Sequence, residues 1–391
     1  MTRYIDKALV AVYLVLAALP VFAMVSGIKG RTIQGVVEAA PAPRLSLDAV
    51  LAETYQHDLT SWFEGNLGLK GTSVALDNAL LYRVFDETKP GAAVRIGDEG
   101  VLFNDEDVNY YNKVGDALPT EQHVQRVADH IAGLQRRLAA RGRAFVPLII
   151  PAKSTIWRDK VPSDWVINHR EPRPSDVRVY LAFRAAFDAR GVRYVDARQI
   201  LTASAYQREL VWNRDARHWS ALGACLAMQG VHDLASQLRG STPTPYDCHA
   251  VAAFARTNTH TDYDLWRVMN AWGVPVRNRV VATVLHSPPI EERASASFIG
   301  TSFCWEILRD ADESGRFRDL DMAYYNKTLV SWPENVHTKL ETGTDAWRDA
   351  LADKDIYVLD LFESYLGVPD SYVDEFLRDL AAHLDDVTPA R

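Results

Sequence analysis

At 391 residues, 48% hydrophobic and 24% charged, the chain has an ordinary globular composition, with length for one large domain or two smaller ones. A formal net charge of −8 argues against nucleic-acid binding, which asks for a basic surplus, and the densest cationic cluster, Arg136, Arg137, Arg141 and Arg143, reads as a solvated helix end. Neither G-x-x-x-x-G-K nor G-x-G-x-x-G occurs, which speaks against an ATP- or NAD-dependent enzyme.

Ala8 to Ile28 is an almost unbroken apolar run behind Arg3 and Lys7, long enough to cross a hydrocarbon core. A secretory signal cleaved after Val21-Phe22-Ala23 is the alternative; the run is longer than a usual signal core and continues past Ala23, which favours an uncleaved anchor. Residues 1–29 are therefore expected to be the membrane segment, with an extracytoplasmic body behind it. Gly30, Gly35, Pro41 and Pro43 mark a linker. Ser46 to Phe63 and Thr72 to Phe85 read as helices, the second with Leu76, Leu80 and Val84 on one face. Residues 30–90 are thus expected to be linker and juxtamembrane helices, and residues 91–391 the main domain.

Val94 to Phe103 holds the turn glycines of a hairpin, Gly97 and Gly100. Val124, Val127, Ile131, Leu134 and Leu138 follow one helix face, with Thr120 to cap it and Gly142 to close it. The strand Ala144 to Ile150 follows, then a helix from Ser175 to Arg190 and a strand from Val192 to Asp196. This alternation predicts an α/β fold with a mostly parallel sheet covered by helices on both faces. Ser220 caps a helix carrying Leu222, Leu226 and Leu234, and Arg279 to Leu285, Ser297 to Thr301 and Asp355 to Leu361 supply further strands. Sites in such folds gather at the carboxyl ends of strands.

Ser297 to Thr301 runs into a small-residue turn that delivers Ser302 at the mouth of a helix. A serine hydroxyl attacks an ester only when an imidazole takes its proton and a carboxylate steadies the imidazolium. His218 and Asp215, in Asn213-Arg214-Asp215-Ala216-Arg217-His218-Trp219, have that chemistry, and N–H groups at the start of the following helix suit an oxyanion. Lys153 and Ser154 end a strand, either as ligands for a uronate carboxylate or sugar hydroxyl or as a plain helix-initiating turn. Tyr324, Tyr325 and Asn326 end another, either completing an oxyanion hole or serving as core aromatics. Trp219 and Trp305 either stack on a sugar or pack the core.

Cys225, Cys248 and Cys304 are too few and too irregular for a zinc site, and buried free thiols are the default. In an exported domain, Cys225 and Cys248 have the alternative of pairing. The histidines and acids show no ligand spacing, so neither metal nor organic cofactor is expected.

The ordered set Trp62 to Lys70, Gly97 to Phe103, Pro151 to Thr155, Asp215 to Trp219, Gly300 to Phe303 and Asp355 to Leu366 resembles the AlgJ/AlgX group of alginate O-acetyltransferases, which belong to the SGNH hydrolase-like superfamily. The resemblance implies a three-layer SGNH-like catalytic domain in which Ser302 accepts the acyl group and His218 is its base. Relatives carry their acid two residues before the histidine, where this chain has Ala216; Asp215, three before it, is the expected substitute. An acid and base preceding the serine is also the order of that group. The resemblance implies transfer of acetyl groups to an exported polysaccharide in the periplasm, with a multi-spanning membrane-bound O-acyltransferase as donor. A hydrolytic esterase and a non-catalytic glycan-binding scaffold are the alternatives.

Overall fold

In the computed structural model, which describes residues 2–35, 41–112, 119–161, 175–254, 262–273, 280–286, 293–351 and 353–386, the chain divides into two units. Met1–Ile96 with Leu265–Val276 forms the smaller, and Gly97–Asp264 with Arg277–Arg391 the larger.

The smaller unit begins with the helix Thr2–Val25, whose stretch Tyr4–Val25 is the one helix among the described residues long and apolar enough to cross a membrane. Gly27, at φ 68°, ends it. The single helix expected from Ser46 to Phe63 is two, Leu47–Leu51 and Thr54–Asn66, because Glu53 takes a left-handed φ of 60° between them. The next helix, Lys70–Leu80, buries Gly71, Ala75 and Ala79 and leaves Leu76 and Leu80 outside. A wide turn, Leu81–Phe85, continues it, and strand β1, Val94–Ile96, closes this part of the unit.

In the larger unit β2 is Leu102–Asn104, β3 Ala144–Ile150 and β4 Val195–Asp196. Strands β5, His249–Phe254, and β6, Val280–Leu285, pair antiparallel with each other outside the main sheet, so the 279–285 strand does not join the parallel array. The remaining strands are β7, Ala294–Gly300; β8, Phe317–Tyr324; β9, Thr328–Trp332; β10, Val336–Lys339; and β11, Ile356–Phe362. The seven-stranded sheet has the order β10-β9-β8-β7-β11-β3-β4. From β8 to β4 every pairing is parallel, and β9 and β10 fold back antiparallel at one edge.

Period-two alternation sorts the strand residues onto two faces. Ala144, Val146, Leu148 and Ile150 join Phe298, Val358 and Phe362 in one core, beneath helices Ala221–Leu238 and Cys304–Glu313. Phe145 and Ile149 join Ile299, Tyr357, Leu359 and Leu361 in the other, beneath helices Glu121–Ala139, Ser175–Ala189 and Tyr372–Asp386. Strands with both faces covered have to be apolar at consecutive positions, and β3 and β11 are buried along their whole length. The result is a three-layer α/β unit with a mostly parallel sheet. Thr120 caps Glu121–Ala139 by accepting from the His123 N–H at 3.2 Å, and Ser220 caps Ala221–Leu238 through the Gly223 N–H at 3.1 Å.

Candidate active site

β7 ends at Gly300, and the turn Thr301-Ser302-Phe303 leads into helix Cys304–Glu313. A Cβ on residue 300 would stand 2.3 Å from the Cβ of Asp360, so glycine is what lets the β7 terminus approach β11. From β11, one carboxylate oxygen of Asp360 accepts the Thr301 N–H at 2.8 Å and the Thr301 hydroxyl at 2.6 Å, pinning the turn. Asp360 is wholly buried, and burial pushes its pKa up to about 6 against the opposing pull of the Thr301 donors. On the other side of the turn the Phe303 ring lies 4.7 Å from the His218 ring and 4.5 Å from that of Phe362. The Phe303 carbonyl accepts from the Trp219 indole at 3.1 Å. Packing therefore holds both neighbours of Ser302 while its own side chain stays partly exposed.

His218 Nε2 lies 2.7 Å from Ser302 Oγ, although 84 residues separate them in the chain. Its Nδ1 lies 2.5 Å from Oδ2 of Asp264, the first residue of the short helix Asp264–Val268. The other oxygen of Asp264 accepts the Arg217 N–H at 2.7 Å, which fixes the carboxylate against the residue before the histidine. Asp264, His218 and Ser302 thus form one hydrogen-bonded chain. The carboxylate at Nδ1 is Asp264, where the sequence pattern had pointed to Asp215. In its tight turn Asp215 gives its N–H to Asn213 Oδ1 at 3.0 Å, and its carboxylate is buried where its field acts on Lys153. Such a chain can make the serine oxygen nucleophilic and hold its proton on the imidazole until the leaving group takes it.

Residues 94–277 match the family model described as an SGNH hydrolase-like domain of the acetyltransferase AlgX. Over that stretch the chain is similar to this family. The probable alginate O-acetylase AlgJ of Pseudomonas aeruginosa is 28% identical over 194 residues, 50% of this chain and 44% of that protein, so the match spans less than half of the relative's length. Among solved structures, the O-acetyltransferase domain of Pseudomonas putida AlgJ aligns at 19% identity and a TM-score of 0.46, covering 75% of this chain and 99% of that one. Pseudomonas aeruginosa AlgX aligns at 11% identity and a TM-score of 0.46, covering 77% and 68%. The family-model match contains His218 and Asp264 and ends before Ser302.

Around this centre the chain places its other polar residues at different depths. Lys153 is fully buried; its Nζ donates to the Arg214 carbonyl at 2.6 Å and stands 5.5 Å over the Phe103 ring. Burial drives its pKa down to about 7, while Asp215, Asp264 and Asp107 pull it upward. Ser154 is buried too and donates to the Asp107 carbonyl at 3.3 Å, so both residues support the site from behind. Arg217 is more open, donating to Glu106 Oε2 at 2.9 Å. Tyr324 and Tyr325 are half-buried with rings 4.7 Å apart, and the Tyr325 N–H donates to the Gly300 carbonyl at 2.8 Å. Asn326 faces the core instead, its amide oxygen accepting from the Trp347 indole at 2.8 Å. Trp219 is wholly buried, whereas Trp305 is half-buried and stacks on His337 at 6.0 Å.

Asp264 and Asp360 are the site residues that sequence reasoning missed. Nothing near Asp264 distinguishes it from other loop acids, but Asp360 is an isolated carboxylate inside the apolar run Ile356–Phe362, a signal that was available. Cys225 and Cys248 form a disulfide, which corrects the default of free thiols, and Cys304 is free and buried. Among the described residues Cys225, His286 and Asp310 bring ligand atoms within 4.8 Å of one another, but a disulfide sulfur is no thiolate ligand.

Proposed function

We propose that this chain is a membrane-tethered O-acetyltransferase that takes an acetyl group onto Ser302 and passes it to a hydroxyl of an exported polysaccharide. The observation that carries the reading is the Asp264, His218, Ser302 chain at the carboxyl edge of a parallel sheet. In the first half-reaction the Ser302 oxygen bonds to the carbonyl carbon of the donor, and its proton moves to His218 Nε2. Asp264 stabilises the imidazolium, the bond to the leaving group breaks, and the leaving group takes the proton from His218. In the second, a sugar hydroxyl gives its proton to His218 and its oxygen to the acyl carbon. The bond to Ser302 breaks and the serine takes the proton back. The Ser302 N–H, ahead of the N-terminus of helix Cys304–Glu313, is our candidate oxyanion donor.

In this reading residues 91–391 are the catalytic domain and residues 1–29 tether it to the inner membrane with its active centre in the periplasm. The acetyl group has to arrive from the cytoplasm, and among the described residues a single helix has the length and apolarity to span. A multi-spanning membrane-bound O-acyltransferase is the partner this requires. The likeness to an alginate O-acetylase makes an alginate-like acceptor the first to try.

Purified chain incubated with a chromogenic acetyl ester, with and without polysaccharide, tests the proposal. Ester appearing on the glycan supports it, release to water alone replaces it with an esterase, and turnover independent of Ser302 leaves a glycan-holding scaffold.

A further inference from the structure

Large apolar side chains are exposed very unevenly in this protein. Among the described residues of the larger unit only Leu181, Tyr206, Leu285, Val336 and Val368 are exposed large apolar residues. The smaller unit, apart from its apolar helix, exposes Leu47, Leu51, Leu76, Leu80, Val84 and Phe85, among others. Leu76, Leu80 and Val84 recur every four residues along Lys70–Leu80 and its continuation, so they form a continuous stripe. Exposure of this kind marks an interaction surface.

The occupant is indicated by what lies next to the stripe. Gly68, two residues before the helix, is the seat for the last turn of the apolar helix: a Cβ there would stand 2.4 Å from the Met24 N and 2.7 Å from the Ala23 Cβ. Ala23 is correspondingly buried. The helix that carries the stripe therefore starts beside the end of the span. Its charged neighbours carry both signs and are exposed: Lys29 and Arg31 follow the span, Arg83 lies in the stripe's own turn, donating to the Trp272 carbonyl at 3.0 Å, and Asp86 and Glu87 follow Phe85. Asp77, beside Leu76, is neutralised by Lys89. Apolar residues on one helix face, charges of both signs around them and an exposed tryptophan, Trp272, are the chemistry of a surface lying in the headgroup region of a bilayer.

We propose that the Leu76, Leu80, Val84 and Phe85 face rests in the lipid headgroup and acyl boundary, so that the smaller unit is a membrane-lying collar around the exit of the span. The inference rests on the anchor reading above. In the test, full chain is reconstituted in phosphatidylcholine and phosphatidylglycerol vesicles after Leu80→Cys, Val84→Cys or, as control, Leu181→Cys, and the new thiol is labelled with an environment-sensitive fluorophore. The expected result is blue-shifted emission at positions 80 and 84 and quenching by nitroxide-bearing lipids several-fold above that at 181. Emission and quenching at 80 and 84 equal to those at 181, in chain that stays with the vesicles after an alkaline wash, overturns the collar and leaves the anchor standing. Chain that washes off with solvent-like emission at all positions overturns both. Because no other protein is present, strong lipid quenching at 80 and 84 also rules against a protein-only docking face.

Discussion

The larger unit buries its apolar side chains in two cores and leaves chemistry at the sheet edge, whereas the helix Lys70–Leu80 of the smaller unit buries small residues and leaves leucines outside. Two covered faces give the first its rigidity: the β7 terminus, the His218 turn and Asp264 come from distant parts of the chain, yet their reacting atoms sit at hydrogen-bond distance. Gly71, Ala75 and Ala79 remove far less apolar surface from water than leucine would. Such packing can seat a helix end, and it leaves the larger apolar side chains of this helix outside. In the proposed reading, positioning and attachment are thus allotted to different parts of one chain.

The sharpest way to break this division is at the centre of the larger unit. Ser302→Ala should lower acetyl transfer by about 10³-fold or more and abolish acetyl labelling, with no change in melting temperature. Asp264→Ala should cost about 10²- to 10⁴-fold in kcat/KM, while Asp215→Ala should lower stability more than rate. Equal rate losses in the two aspartate variants, with equal stability, would mean that the acid assignment is wrong.

Smaller effects test what holds the site in place. Breaking Cys225–Cys248, which encloses a separation of 23 residues, should cost about 3 kcal/mol, read as a fall in the urea midpoint on reduction. Asp360 has its pKa raised by burial to about 6 from an ordinary 3.8, so it resists ionisation in the folded state. Its contribution is fully present below the unfolded value and is lost as pH rises through about 6. Asp360→Asn should therefore remove up to about 3 kcal/mol of the fall in stability between about pH 4 and 6, measured by denaturant titration beside the native chain. If both chains show the same slope, the carboxyl is not perturbed as described.

The least effect on catalysis is expected from the smaller unit. Gly68→Val forces a side chain against Met24 and should loosen the seat of the span by about 1–3 kcal/mol, seen as faster proteolysis of residues 26–46. Turnover of a soluble acetyl ester should be unchanged, and a large loss would show that the two units are not independent in function.

Much was already legible in local sequence. Strands β3 and β11, the face of Glu121–Ala139, the caps Thr120 and Ser220 and the small-residue turn at Ser302 depend on residues a few positions apart, whose periodicity and hydrogen-bonding options are fixed by backbone geometry. The apolar helix was equally plain, because length and composition suffice to define it. Tertiary structure alone decided that Asp264 reaches His218 while Asp215 turns inward beside Lys153, that Cys225 meets Cys248, and that the Leu76 stripe faces outward. A helix pattern shows that one face is apolar, not what covers it, and a spacing of three residues does not say where a carboxylate points. Those outcomes depend on which distant segments fill the space around each side chain, and that is set by packing across the whole fold.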